Sequence, residues 1–239
     1  YFAPNDYSNM QKSNIVIPFL ILLLAACGGS NDSANKKDAE KSNPTVEPQA
    51  KAEAKKNIVF FGNSLTAGYG LEDVNTGYVA LIQQRLDSLG LPYKAINAGV
   101  SGETTAGGRE RIDWVLRQPV DVFVLELGGN DALRGISPTT SYENLDAIIH
   151  AVKAKYPQAK IILAGMQAPP NMGQQYTSAF RKNYVRLVQE HGVALIPFFL
   201  EGVGGIAELN QGDRIHPNVE GQKILVENVW AVLKDQVQG

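Results

Sequence analysis

Short apolar runs alternate along the chain with longer stretches in which apolar residues recur every three or four positions. The runs at 58–61, 93–97, 120–127, 161–164 and 194–198 are rich in β-branched and aromatic residues and predict strands. Val122-Phe123-Val124-Leu125 is apolar at every position, the pattern of a parallel strand covered on both faces. The intervening stretches 78–89, 106–116, 141–155, 176–190 and 219–237 carry the helical period. In the third, Leu145, Ile148, Ile149 and Val152 share a face, and Thr140 with Glu143 predicts a capping box. Gly192 after His191 predicts a helix stop. Strands that alternate with helices imply right-handed crossovers. The expected fold is therefore α/β: a three-layer α/β/α sandwich on a five-stranded parallel sheet.

The first quarter of the chain does not follow this pattern. Residues 1–9 precede a candidate start methionine, Met10. Lys12, the apolar run 15–24 and the small residues before Cys27 read as a signal peptide. The run is about half the ~20 residues that a membrane span needs, and Pro18 interrupts it. Leu24-Ala25-Ala26-Cys27 resembles a bacterial lipoprotein lipobox, which implies lipidation of Cys27 and an anchored location in the bacterial envelope. Residues 28–56 are rich in Ser, Asn, Lys, Ala, Glu and Pro and lack apolar periodicity. They predict a flexible tether, since little apolar surface offsets the entropy of ordering. The domain expected to fold is 57–239. A net charge of −2 with no basic stripe argues against a nucleic-acid partner. Cys27 is the only cysteine, so no disulfide can form within the chain.

The polar residues that break the pattern fall at strand ends. Gly62-Asn63-Ser64-Leu65 follows the first strand, and Gly128-Gly129-Asn130-Asp131 follows the third. Gly99-Val100-Ser101-Gly102 lies between them, and Asp213-Arg214-Ile215-His216-Pro217 comes after the fifth. Ligands in such sheets bind beyond the carboxyl ends of the strands, so these segments should share one edge. A serine hydroxyl needs a base, and an imidazole suits that task near neutral pH. The Asp-x-x-His spacing lets a carboxylate meet that imidazole across one turn of chain. Acyl transfer requires these parts together with oxyanion donors. The second glycine of a G-x-S-x-G elbow is missing at Ser64, and no Gly-Lys-Ser/Thr follows Gly129. Three histidines and no cysteine pair argue against a zinc site, and no metal or cofactor is expected.

Four segments resemble, in order, the conserved blocks of the SGNH (GDSL-type) hydrolase superfamily. They are the stretch from Phe61 to Gly70, Asn97-Ala98-Gly99-Val100-Ser101-Gly102-Glu103-Thr104, Leu127-Gly128-Gly129-Asn130-Asp131, and Asp213-Arg214-Ile215-His216-Pro217. The likeness is strongest to bacterial arylesterases, thioesterases and lysophospholipases. It implies the flavodoxin-like form of the sandwich. It also implies Ser64 as nucleophile, His216 as base and Asp213 as its orienting group, with Ser64 N–H, Gly102 N–H and the Asn130 amide as the oxyanion hole. Asn63 departs from the pattern, which has Asp before the serine. Gln167-Ala168-Pro169-Pro170-Asn171-Met172-Gly173 resembles loops that shape an acyl groove, with Ala168, Pro169 and Met172 as its wall.

The resulting expectation is an esterase acting on short-chain or aryl esters, acyl thioesters or lysophospholipids. Two alternatives stand beside it. One is a carbohydrate O-deacetylase of the same fold, for which Tyr69 is the best candidate sugar-binding aromatic. The other is a non-catalytic lipid- or glycan-binding lipoprotein. Glu126, inside a buried strand, reads as a paired structural carboxylate or a second acid, and Asp131 as a brace of its turn. His150 and His191 read as surface or helix-end residues.

Overall fold

The computed structural model describes residues 54–238. The signal peptide, Cys27 and most of the predicted tether lie outside the described residues. The last tether residue is already sheet: the Lys56 N–H donates to Pro92 O at 2.8 Å and opens the first strand.

The order is β1 (Lys56–Gly62), α1 (Ser64–Ala67), α2 (Tyr78–Ser88), β2 (Tyr93–Gly99), α3 (Thr105–Val115), β3 (Val122–Glu126) and α4 (Gly129–Leu133). Then come α5 (Pro138–Lys155), β4 (Lys160–Ala164), α6 (Gln174–His191), β5 (Ala194–Ile196) and α7 (Val219–Val237). All five strands are parallel, in the order β2-β1-β3-β4-β5. Helices α2 and α7 pack together, while α3, α5 and α6 form a second group, giving the two outer layers. Every residue of β3 is buried, as its unbroken apolar run requires. Successive connections leave β1 in opposite directions, towards β2 and then β3. The crevice at that switch point lies beyond Gly62.

The differences from the sequence pattern have local causes. Helix α5 starts at Pro138, whose fixed φ suits a first helical turn, so Thr140 lies inside the helix and the predicted capping box does not form. The third strand starts at Val122 rather than residue 120, because Asp121 turns its carboxylate to the Asn57 N–H at 2.7 Å. The fifth strand stops at Ile196: Pro197 has no N–H, and the chain then bends so that Phe199 N–H donates to Gly165 O. Gly192 ends α6 in the left-handed conformation, φ 62°, as expected.

Candidate active site

Two short helices that the periodicity did not show, α1 and α4, carry Ser64 and Asn130. Ser64 is the first residue of α1. Asn63 caps that helix, its Oδ1 accepting from Leu65 N–H at 2.9 Å. The Ser64 N–H is thus among the free donors of a helix start. The Ser64 side chain lies 2.8 Å, Oγ to Nε2, from His216, and His216 Nδ1 lies 2.6 Å from Asp213 Oδ2. The other carboxylate oxygen of Asp213 accepts the backbone N–H groups of Ile215 (2.9 Å) and His216 (3.0 Å). First that backbone bond and then the imidazole hold the Asp213 carboxyl down at about 2. It is therefore an ionised acceptor near neutral pH. Nδ1 must carry the ring proton, which leaves Nε2 to accept the hydroxyl proton of Ser64.

The loop bearing this pair is tied at both ends. Arg214 adopts φ 60°, a left-handed turn unusual for a side-chain-bearing residue, and its N–H donates to Gln211 O. Gln211 N–H in turn reaches His216 O, and Gln211 Nε2 donates to Tyr69 O at 2.8 Å. The Tyr69 ring lies over the imidazole, with centroids 4.7 Å apart.

Gly102 also has a left-handed φ, 80°, which a glycine adopts without cost. Its carbonyl accepts from the Arg134 guanidinium at 2.9 Å, fixing the peptide orientation. Asn130 Nδ2 donates one hydrogen to Glu103 O at 2.9 Å and keeps its second for a ligand. Ser64 N–H, in α1, Gly102 N–H, in the loop after β2, and Asn130 Nδ2, in α4, all lie in segments that follow the carboxyl ends of strands. Glu103 is held by Arg111, which forks onto its carboxylate, donates to Ala98 O at 2.8 Å and stacks 4.0 Å from the Phe61 ring. Asp131 braces its turn as expected: it is fully buried and accepts from Thr105 N–H (2.9 Å) and Ser141 Oγ (3.1 Å).

Beneath the serine lies Glu126, fully buried at the end of β3 and paired in register with Gly62. A Cβ on Gly62 would come 2.6 Å from Glu126 Oε2, so the missing side chain makes room for the carboxylate. Oε1 accepts from Asn63 Nδ2 at 2.7 Å. Oε2 accepts from Asn63 N–H (3.2 Å) and Thr66 Oγ1 (2.8 Å). Burial pushes this carboxyl up to about 7, while the donors from Thr66 and Asn63 act against the rise. Glu126 is therefore a structural carboxylate that holds the serine turn. Of the two readings of Glu126, this geometry fits the structural one; the part played by Arg111 was not visible in the sequence.

The predicted groove residues separate. Ala168 lines a cleft of about 470 Å³ with Gln167, Pro170, Gln174 and Arg181, but Pro169 and Met172 are not in its wall. Pro169 instead caps a 3-10 turn, Pro170–Met172, and the Met172 methyl faces the turn at Gly135. Another cleft, about 490 Å³, opens around Lys56, Tyr93, Asp121 and Lys160, at the amino ends of the strands and away from Ser64. His150 is exposed, whereas the His191 side chain is nearly buried at the end of α6.

A strand-end serine in contact with a carboxylate-oriented imidazole, on a 2-1-3-4-5 parallel sheet, defines a lipolytic type of α/β hydrolase without the usual elbow. The family model for the GDSL-like lipase/acylhydrolase family matches residues 60–224, and the chain belongs to that family. Esterase TesA of Pseudomonas aeruginosa is 43% identical over 182 residues, covering 76% of this chain and 89% of that protein. Thioesterase 1/protease 1/lysophospholipase L1 of Escherichia coli K12 is 35% identical over 178 residues, covering 74% and 83%. The psychrotrophic esterase EstA from Pseudoalteromonas sp., in a structure inhibited by monoethylphosphonate, superposes with a TM-score of 0.72. It is 30% identical and covers 77% of this chain and 100% of that one.

Proposed function

We propose that the chain is a serine carboxylic ester hydrolase in which Ser64 is the nucleophile, His216 the general base and Asp213 the group that orients it. The observation that carries this reading is the unbroken path Ser64 Oγ–His216 Nε2 (2.8 Å) and His216 Nδ1–Asp213 Oδ2 (2.6 Å). As Ser64 Oγ attacks the acyl carbon, its proton passes to Nε2. Ser64 N–H, Gly102 N–H and Asn130 Nδ2 stabilise the tetrahedral oxyanion. The imidazolium returns the proton to the leaving alkoxide or thiolate, and the acyl–Ser64 ester forms. Water, deprotonated by the same nitrogen, then releases the acid.

The substrate classes we favour are short-chain and aryl esters, acyl thioesters and lysophospholipids. The names of the relatives support this range, and so do apolar side chains in the segments that follow the strands on the active edge. Tyr69, Val100, Leu133 and Ile215 are all exposed there. Ala168 is retained as part of the acyl-side wall, with Pro169 and Met172 shaping its backbone and flank. We further propose that Cys27 carries a lipid and anchors the enzyme in the bacterial envelope. The Leu-x-Ala-Cys ending of an apolar run supports this.

The test is hydrolysis of p-nitrophenyl esters of graded chain length by the natural chain and by Ser64→Ala. The substitution is expected to lower kcat by ~10⁴ or more with unchanged circular dichroism. A folded Ser64→Ala protein keeping more than about a hundredth of the activity refutes the nucleophile. Preference for acetylated sugars over every acyl ester moves the assignment to the O-deacetylase.

A further inference from the structure

We infer that Asp146, His150 and His191 form a divalent-cation site of the zinc class on the outer helical layer, remote from the serine. Asp146 and His150 are four residues apart on α5, so they share one face. His191 reaches them from the last residue of α6. One ligand atom from each residue falls within 4.8 Å of the others. Asp146 Oδ1 lies 2.7 Å from His191 Nε2 and 3.7 Å from His150 Nε2, and the two rings meet edge to face with centroids 4.8 Å apart.

Two ligands of one tetrahedral zinc ion stand about 3.3 Å apart when each bond is ~2.0–2.1 Å. The two separations from Asp146 bracket that value and all three ligand atoms lie within 4.8 Å of one another, so side-chain rotations close the set around an ion. The donors themselves select the metal class. Two imidazole nitrogens and one carboxylate oxygen suit zinc, nickel or copper and not the all-oxygen shells of calcium or magnesium. Three protein ligands leave one position for water. The field also favours a cation: Asp146 is anionic, and the carbonyl end of α6 carries negative partial charge. The Lys153 ammonium donates to His191 O and offsets that helix-end charge, so the attraction for a cation rests on Asp146.

Location limits the role. Helix α6 begins beside the active-edge loop at Gln174 and runs about 26 Å to His191. A cation here cannot touch the reacting ester. It ties the end of α6 to the middle of α5, and its effect is on the stability of that helix pair. His150 is largely exposed while His191 and Asp146 are already in contact, so an ion would recruit His150 to a half-formed site.

The test uses the full chain purified without a polyhistidine tag, with zinc chloride as the probe. Calorimetric titration is expected to show one site with a Kd of about 10 µM or tighter, weaker than closed four-ligand sites. His150→Gln and Asp146→Asn should each weaken it at least about tenfold, since each removes one of three ligands. Cys27 and His216 remain in every chain, so any zinc they hold cancels in the comparison. At zinc ~100 times Kd the natural chain should melt about 5 °C or more higher, and His150→Gln should not. Ester kcat/KM of His150→Gln should equal that of the natural chain. Equal zinc affinity in the natural chain and both variants overturns the inference, as does no binding at 100 times that Kd, about 1 mM.

Discussion

Asn63→Asp replaces a donor facing Glu126 with a second carboxylate. In the natural chain Asn63 Nδ2 gives its hydrogen to Glu126 Oε1 at 2.7 Å, inside a turn where Asn63 is 2% and Glu126 0% exposed. Two carboxylates at that distance cannot both ionise cheaply, so the pair must share one proton. Glu126 alone is pushed from 4.5 to about 7 by burial. In the natural chain its contribution to stability is thus present below pH 4.5 and lost as pH rises through about 7, with no further slope above. In the variant the second ionisation moves ~2 units or more higher, as in other carboxylate pairs. The folded variant then holds a proton that the unfolded chain lacks, and it loses ~1.4 kcal/mol per pH unit beyond pH 7. Urea unfolding of both proteins at pH 7 and pH 9 measures this. The stability gap is expected to widen by ~2–3 kcal/mol between those pH values. Near pH 6 the shared proton restores the missing donor, and kcat/KM should stay within about thirtyfold of the natural value, since 1.4 kcal/mol is tenfold. A stability gap constant to within ~0.5 kcal/mol across the range would refute the shared-proton argument.

Asn130→Ala removes one oxyanion donor and should lower kcat by ~10²–10³ with little change in KM, which steady-state kinetics on an aryl ester will read; equal losses in both parameters would contradict the role. Asp213→Asn should lower kcat by ~10⁴, because the imidazole loses the acceptor that fixes its tautomer. The stability that Asp213 contributes is present above pH 3.8 and lost as pH falls through about 2, so acid titration of the two proteins should converge there; it is small, because the side chain is over a third exposed. A fatty-acid probe in bacteria should label the natural chain and not Cys27→Ser, and equal labelling of both would remove the anchor.

The strands and long helices were legible because each carries its own period. Residues 122–125 could only be a doubly covered strand, and Leu145, Ile148, Ile149 and Val152 could only face a core. Asp213 and His216 were legible as a pair because three-residue spacing lets a carboxylate meet an imidazole, and Ser64 was legible from its place after the first strand and the resemblance of its block. Helices α1 and α4 were not, since four or five residues cannot display a helical period. Glu126 was ambiguous for a different reason. Its partner, the turn after Gly62, is defined by the register of β1 on β3, which no local pattern encodes. The Asp146–His150 spacing is local, yet His191 joins it only once α6 packs on α5. Thr140 misled because Pro138, two residues earlier, starts the helix first.

Ser64 and His216, proposed as nucleophile and base, are 152 positions apart, and among the described residues one helix, α7, comes after the His216 loop. The serine half of the site is therefore synthesised long before the imidazole exists to activate it. On the proposed mechanism, a chain that stops short of residue 216 lacks the base and should lose nearly all of its activity. The same division offers a natural cut for fragment complementation: two inert pieces, one ending before α7's loop and one carrying it, would report their reassembly by hydrolysis.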